Sequence, residues 1–119
     1  MTDISVITAA YNCEGFIGVS ISSILAQTYK NFEFIIVNDG STDQTGNLIA
    51  KFDDPRIRFV NHIENKGVLA RSKEAIELAT GKYVAIHDAD DVSMSNRLET
   101  QHGFLEAHPD VSCVGGRAK

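Results

Sequence analysis

Three aspartates, Asp88, Asp90 and Asp91, follow a short apolar run ending at Ile86 and are interrupted only by the small Ala89. In an extended segment side chains alternate, which places Asp88 and Asp90 on one side and Asp91 on the other. Two carboxylates on one side repel unless a cation lies between them. Hard divalent ions such as Mg²⁺ or Mn²⁺ suit that position, because one or two carboxylates plus diphosphate oxygens complete an octahedral shell. The competing reading is a solvated loop whose aspartates cap the next helix, with Ser93 or Ser95 as another cap. His87 reads as a polar strand-end residue, set apart from the other histidines only because it abuts Asp88.

A second polar group is Asn38-Asp39-Gly40-Ser41-Thr42-Asp43. Gly40 permits the positive φ of a tight strand-to-helix turn, and Ser41 or Thr42 can cap the helix that follows. Asp39 either accepts a hydrogen bond from a base N–H or a ribose hydroxyl, or serves as a cap itself. Tyr11 offers a flat ring for stacking on a base, or is a boundary tyrosine with a wet hydroxyl. Arg71 lies four residues past Gly67, one helical turn into its helix. There it either reaches a base carbonyl or pyrophosphate oxygens, or pairs with Glu74 or Glu77 on the surface. Other chemistries lack their motifs. There is no Gly-x-Gly-x-x-Gly after the first strand, no P-loop and no Gly-x-Ser-x-Gly elbow, and His62, His87, His102 and His108 have no zinc spacing. Cys13 and Cys113 match no ligand pattern and read as free thiols.

The elements that must position these groups follow from hydrophobic periodicity. Strands are expected at Ile4 to Thr8, Phe32 to Val37, Ile57 to Val60, Lys82 to Ile86 and Val111 to Val114. Helices are expected at Phe16 to Gln27, Asp43 to Phe52, Val68 to Ala79 and Asn96 to His108. The predicted inward faces are Phe16, Ile17, Ile21, Ile24 and Leu25; Leu48, Ile49 and Phe52; Leu69, Ala75, Ile76 and Ala79; and Leu98, Phe104 and Leu105. This alternation predicts βα units with right-handed crossovers, hence an open, mostly parallel α/β sheet with helices on both faces. In such a sheet ligands bind beyond the carboxyl ends of the strands, and every polar group named above falls on that rim.

Composition bounds the rest. The chain has 119 residues, 43% hydrophobic and 23% charged, with a net charge of −5, which is one soluble-type domain without the basic stripe of a nucleic-acid binder. No apolar run approaches the roughly 18 residues of a membrane helix. The first residues lack a basic n-region and apolar h-region, so the expected compartment is the cytoplasm.

Six blocks in order carry a family resemblance: Val6 to Asn12; Ser23 to Tyr29; Val37 to Asp43; Asn65 to Arg71; Gly81 to Asp91; and Arg97 to Glu99. Together they resemble the amino-terminal, nucleotide-sugar-binding half of family 2 glycosyltransferases of the GT-A fold, over essentially the whole of residues 1–119. The resemblance implies that Thr8, Ala10, Tyr11, Asp39 and Arg71 surround the nucleoside, usually uridine. It implies that Asp88 contacts the ribose or the metal, and that Asp90 coordinates Mn²⁺ or Mg²⁺ bridging the diphosphate. Ala9-Ala10 replaces the more usual Pro-containing pair, and Ser72 stands where Asn is frequent.

The expected function is thus transfer of a sugar from a nucleotide sugar, a UDP-sugar first, to an acceptor hydroxyl, metal-dependent and inverting, of the hexosyltransferase type. The alternatives are a nucleotide-binding or regulatory module without turnover and an interaction domain with a decayed site. In the family the general base lies well downstream of Asp-x-Asp with the acceptor region, so it is expected beyond Lys119, and residues 1–119 alone are expected to be inactive. Family members build polysaccharides, lipopolysaccharide or glycoproteins, often at the cytoplasmic face of a membrane. That makes a peripheral position at the inner face a further expectation.

Overall fold

In the computed structural model, which describes residues 2–112, four strands and four helices alternate. β1 (Ile4–Ala10), β2 (Phe32–Asp39), β3 (Ile57–His62) and β4 (Tyr83–Ile86) form one sheet in the order β3-β2-β1-β4, and every pairing is parallel. The register aligns Ile4 with Phe32 and Tyr83, and Phe34 with Ile57. The two central strands are apolar at nearly every position because both of their faces are covered. The edge strands β3 and β4 are only half covered, and their burial falls accordingly.

One face of the sheet, Ile4, Val6, Ala10, Phe32, Phe34 and Ile36, packs with Ile17, Ile21 and Ile24 of α1 (Ile17–Leu25), Ile49 of α2 (Thr45–Ala50) and Leu98 of α4 (Arg97–Ala107). The opposite face, Ile7, Ile35 and Val37, packs on Ala75 of α3 (Val68–Leu78). Helices therefore lie on both faces of an open parallel α/β sheet, as the periodicity predicts.

Four expectations need correcting. Phe16, expected on the inward face of α1, stands just before the helix and is 60% exposed. On α3 the expected Ala75 is buried and Ala79 packs partly buried against the same cluster, but Arg71 takes the inner place expected of Leu69 and Ile76; Leu69 is 85% exposed and Ile76 is also exposed. The reason is an ion pair: Asp39 draws Arg71 under the helix, and the helix turns with it. Phe104 of α4 is exposed and stacks on the His108 ring instead of entering the core. In the expected fifth strand, Val111 and Ser112 carry no regular secondary structure, while 113 and 114 lie outside the described residues.

Candidate functional site

The carboxyl ends of β1 and β4 are neighbours, while the chain leaves β1 in the opposite direction, toward β2. This reversal makes a crevice at the strand ends where open α/β sheets take ligands. The acidic group lies there, but not with alternating faces. Asp91 N–H donates to the Asp88 carbonyl at 3.0 Å, closing a tight turn that swings Asp91 back beside Asp88. All three carboxylates, each exposed, come within 4.8 Å of one another. Sequence reasoning from strand geometry thus misplaced Asp91. The segment turns immediately after β4, so period-two alternation stops at Ile86.

The turn is fastened from below. The Thr8 hydroxyl donates to the His87 carbonyl at 2.6 Å, so buried Thr8 joins β1 to the root of the turn. Ala10 is buried in the core beside α1. Both side chains are buried. Tyr11, by contrast, is 42% exposed where β1 ends. His87 is buried, and that burial, reinforced by the Arg97 guanidinium, holds its pKa below the usual histidine value.

Asp39 closes β2 at 0% exposure. Its Oδ1 accepts from Lys66 N–H at 2.8 Å and Arg71 Nε at 2.9 Å; its Oδ2 accepts from Gly67 N–H at 2.9 Å and the Asn65 amide at 3.0 Å. Burial by itself raises this carboxyl's pKa, but the Lys66 N–H, Arg71 and Gly67 N–H bonds outweigh it and hold Asp39 below the ordinary carboxylate value. Arg71 is equally committed, donating Nη2 to the Glu64 carbonyl at 2.7 Å and Nη1 to Glu74 at 3.4 Å. Among the protein groups Arg71 pairs with Glu74, as one of the two sequence alternatives has it, and, unforeseen, with Asp39 in the interior.

Two glycines make this possible. Gly40 has φ of +67°, and a Cβ there would stand 2.7 Å from backbone atoms of Ile63 and Glu64, so only glycine lets the 63–67 loop close over Asp39. Gly67 has φ of +101° and turns its N–H onto Asp39 at the start of α3. The caps also differ from expectation. Ser41 accepts from Asn12 N–H and donates to Asn38, while Asp43 accepts from Thr45 N–H in the first turn of α2. At α4, neither Ser93 nor Ser95 caps. Gln27, at the end of α1, accepts from Leu98 N–H at 3.0 Å and donates to the Met94 carbonyl at 2.6 Å. Nothing in the local sequence marks Gln27 for this, because its partners are about 70 residues away.

The acidic turn, the exposed Tyr11 ring and the Asp39–Arg71 pair occupy neighbouring strand ends of one rim. An arrangement of hard oxygen donors at a crevice can bind a divalent cation together with an anionic ligand. The chain is similar to the E. coli UDP-Glc:alpha-D-GlcNAc-diphosphoundecaprenol beta-1,3-glucosyltransferase WfaP, 40% identical over 103 residues, 87% of this chain and 41% of the relative. It is 43% identical over 100 residues to glycosyltransferase GlyG of Streptococcus pneumoniae, covering 82% of this chain and 33% of the relative. Among solved structures, S. aureus TarS 1-349 in complex with UDP superposes with a TM-score of 0.84 at 28% identity, over 91% of this chain and 33% of that one. The mannosyltransferase PcManGT from Pyrobaculum calidifontis, in complex with GDP-Man and Mn²⁺, gives a TM-score of 0.83 at 29% identity, over 93% and 35%. The chain thus spans about two fifths or less of the length of each. The sequence pattern of Glycosyl transferase family 2 matches residues 5–119, and with the parallel sheet and its rim in agreement, the chain belongs to that family.

Proposed function

We propose that this chain is the donor-binding part of a metal-dependent, inverting glycosyltransferase that takes its sugar from a nucleoside-diphosphate sugar, a UDP-sugar first. The observation that carries the reading is the acidic turn, with three exposed carboxylates within 4.8 Å at the switch-point rim. Its donors are all hard oxygens, which fit Mn²⁺ or Mg²⁺. Asp90 and Asp88 would hold the ion, joined by Asp91. A divalent ion bound there neutralises charge that develops on a departing diphosphate.

The chain's own residues bind and orient. Tyr11 offers its ring to the base. Thr8 and Ala10 shape the strand end behind it, Thr8 through the His87 carbonyl. Asp39 and Arg71 form the polar wall on the β2 side. Since the Asp39 lone pairs are already filled, a base N–H is received by exchange with the Asn65 amide, which belongs to an exposed loop residue. The general base and acceptor site are assigned to sequence following Lys119 in a longer chain, and Asp91, Glu99 and Glu106 are not candidates. Since WfaP is named for a diphosphoundecaprenol-linked acceptor, a lipid-linked saccharide is the acceptor class to test first. The site then works peripherally at the inner membrane face. Among the described residues no helix is long and apolar enough to cross a membrane.

Thermal unfolding with UDP, with Mn²⁺ and with both tests the reading. UDP is expected to stabilise only when the ion is present, by about 2.7 kcal/mol at a hundredfold excess over Kd, and Asp90→Ala is expected to lose the effect. Equal stabilisation of Asp90→Ala overturns it. Donor hydrolysis in a longer chain separates a transferase from a nucleotide-binding module without turnover.

A further inference from the structure

The His87 ring is 2% exposed, and both of its nitrogens are bonded: Nε2 to Ser20 Oγ at 2.8 Å and Nδ1 to Ser93 Oγ at 2.9 Å. Valence decides the direction of each bond. Ser20 Oγ also lies 3.2 Å from the Asp88 carbonyl, to which it can only donate. A hydroxyl has one hydrogen, so Ser20 must accept from His87, and Nε2 carries the ring proton. In the neutral ring Nδ1 is then an acceptor, and Ser93 donates to it. Ser93 in turn accepts from Arg97 Nη1 at 3.2 Å, since a guanidinium only donates.

Every donor in this chain points one way, from Arg97 through Ser93, His87 and Ser20 to the Asp88 carbonyl. Arg97 Nη2 additionally donates to the Ile86 carbonyl at 2.8 Å, and Thr8 donates to that of His87. Three consecutive carbonyls, 86, 87 and 88, are therefore held by side chains from α4, β1 and α1. Only one ring connects the first of these supports to the last.

We propose that His87 is the positioning residue of the acidic turn: by bridging Ser93 and Ser20 its ring fixes the Asp88 peptide, and with it the spacing of the Asp88, Asp90 and Asp91 carboxylates that receive a divalent cation. The assignment rests on the reading of that turn as a cation site. His87 itself makes no contact with cation or substrate.

Mn²⁺ binding, read by electron paramagnetic resonance with and without UDP, tests it on the chain and its variants, alongside the metal-free unfolding midpoint. His87→Leu is expected to weaken Mn²⁺ binding about 10–100-fold, as loss of the partners behind metal ligands does. Glutamine places an amide nitrogen as many bonds from Cβ as Nε2, so His87→Gln restores the donor to Ser20 and is expected to lose less than the roughly 10-fold lower end of that range. Asparagine reaches only the Nδ1 position, so His87→Asn is expected to resemble His87→Leu. Ser20→Ala, a smaller change that keeps the ring, is expected to weaken binding without removing cooperative unfolding.

Parent-like Mn²⁺ affinity in His87→Leu or in Ser20→Ala overturns the positioning role, as does a loss in His87→Gln equal to that in His87→Leu. If the parent binds no Mn²⁺, or Asp90→Ala binds it equally well, the cation reading itself fails, a result the His87 variants cannot mimic.

Discussion

Asp39 shows how much one buried carboxylate can organise. It receives four hydrogen bonds from a single loop-and-helix entry and pairs with Arg71 where neither reaches water freely. Taking away one partner of a buried pair leaves the other charge uncompensated, so Asp39→Asn is expected to cost about 3–5 kcal/mol of unfolding free energy. The pH dependence follows from its depressed folded-state pKa. The unfolded chain binds a proton at Asp39 near pH 3.9, before the folded chain does. The stabilisation is therefore fully present above about pH 4 and is lost as pH falls through the lower folded value. Urea unfolding of parent and Asp39→Asn should show a wide gap at pH 7 that narrows below about pH 4. A gap independent of pH would show that the cost arises from packing alone. The sequence singled out Asp39 by its place at a strand end, but its saturation could not be read there, because its donors come from residues 65–71.

Among the elements, α1 does more than cross between β1 and β2. Its inner stripe, Ile17, Ile21 and Ile24, enters the core, and this face was legible because apolar spacing and burial agree. Its polar positions were not legible. Ser20 and Ser23, with Gln27 just past its end, fasten the segment that follows β4: Ser20 holds the Asp88 carbonyl, Ser23 accepts from Ser93 N–H, and Gln27 joins Met94 to Leu98. Gln27→Leu keeps roughly the same volume but orphans the Leu98 N–H, worth about 1–3 kcal/mol, while the Met94 carbonyl keeps its bond from Arg97 N–H at 3.0 Å. Urea unfolding should register a loss in that range. A change within about 0.5 kcal/mol, as at a surface site, would mean that water replaces the amide. Helix α3 is the contrary case. Periodicity chose Leu69, Ala75, Ile76 and Ala79 as its inner face; Ala75 is buried accordingly, but the Asp39–Arg71 pair puts Arg71 inside and leaves Leu69 and Ile76 exposed. Hydropathy patterns contain no term for a charge that finds its partner inside.

For the whole molecule, the net charge of −5 repels the anionic ligand proposed for the rim, and a divalent cation on the acidic turn offsets that repulsion locally. UDP concentrations that shift the unfolding midpoint in Mn²⁺ should give no shift in EDTA, and readdition of Mn²⁺ should restore it. A shift that persists in EDTA would place UDP recognition on Arg71 and the helix start instead of on the acidic turn.

The sequence by itself determined the βα alternation, the apolar character of the two central strands, and the placement of polar residues on one rim, since each depends on local periodicity and on the chain order of the elements. It also determined the family, because six blocks in order survive as local patterns. Only the tertiary structure decided which carboxylates converge, which are already engaged and what supports them. Asp91 joins Asp88 because the chain turns after β4. Asp39 is filled because Gly40 lets a distant loop descend on it. His87 acquires its bonds from α1 and from the segment leading to α4. The difference is physical: periodicity reports which side of an element is apolar, whereas hydrogen-bond saturation and charge spacing depend on groups that meet only when remote segments pack.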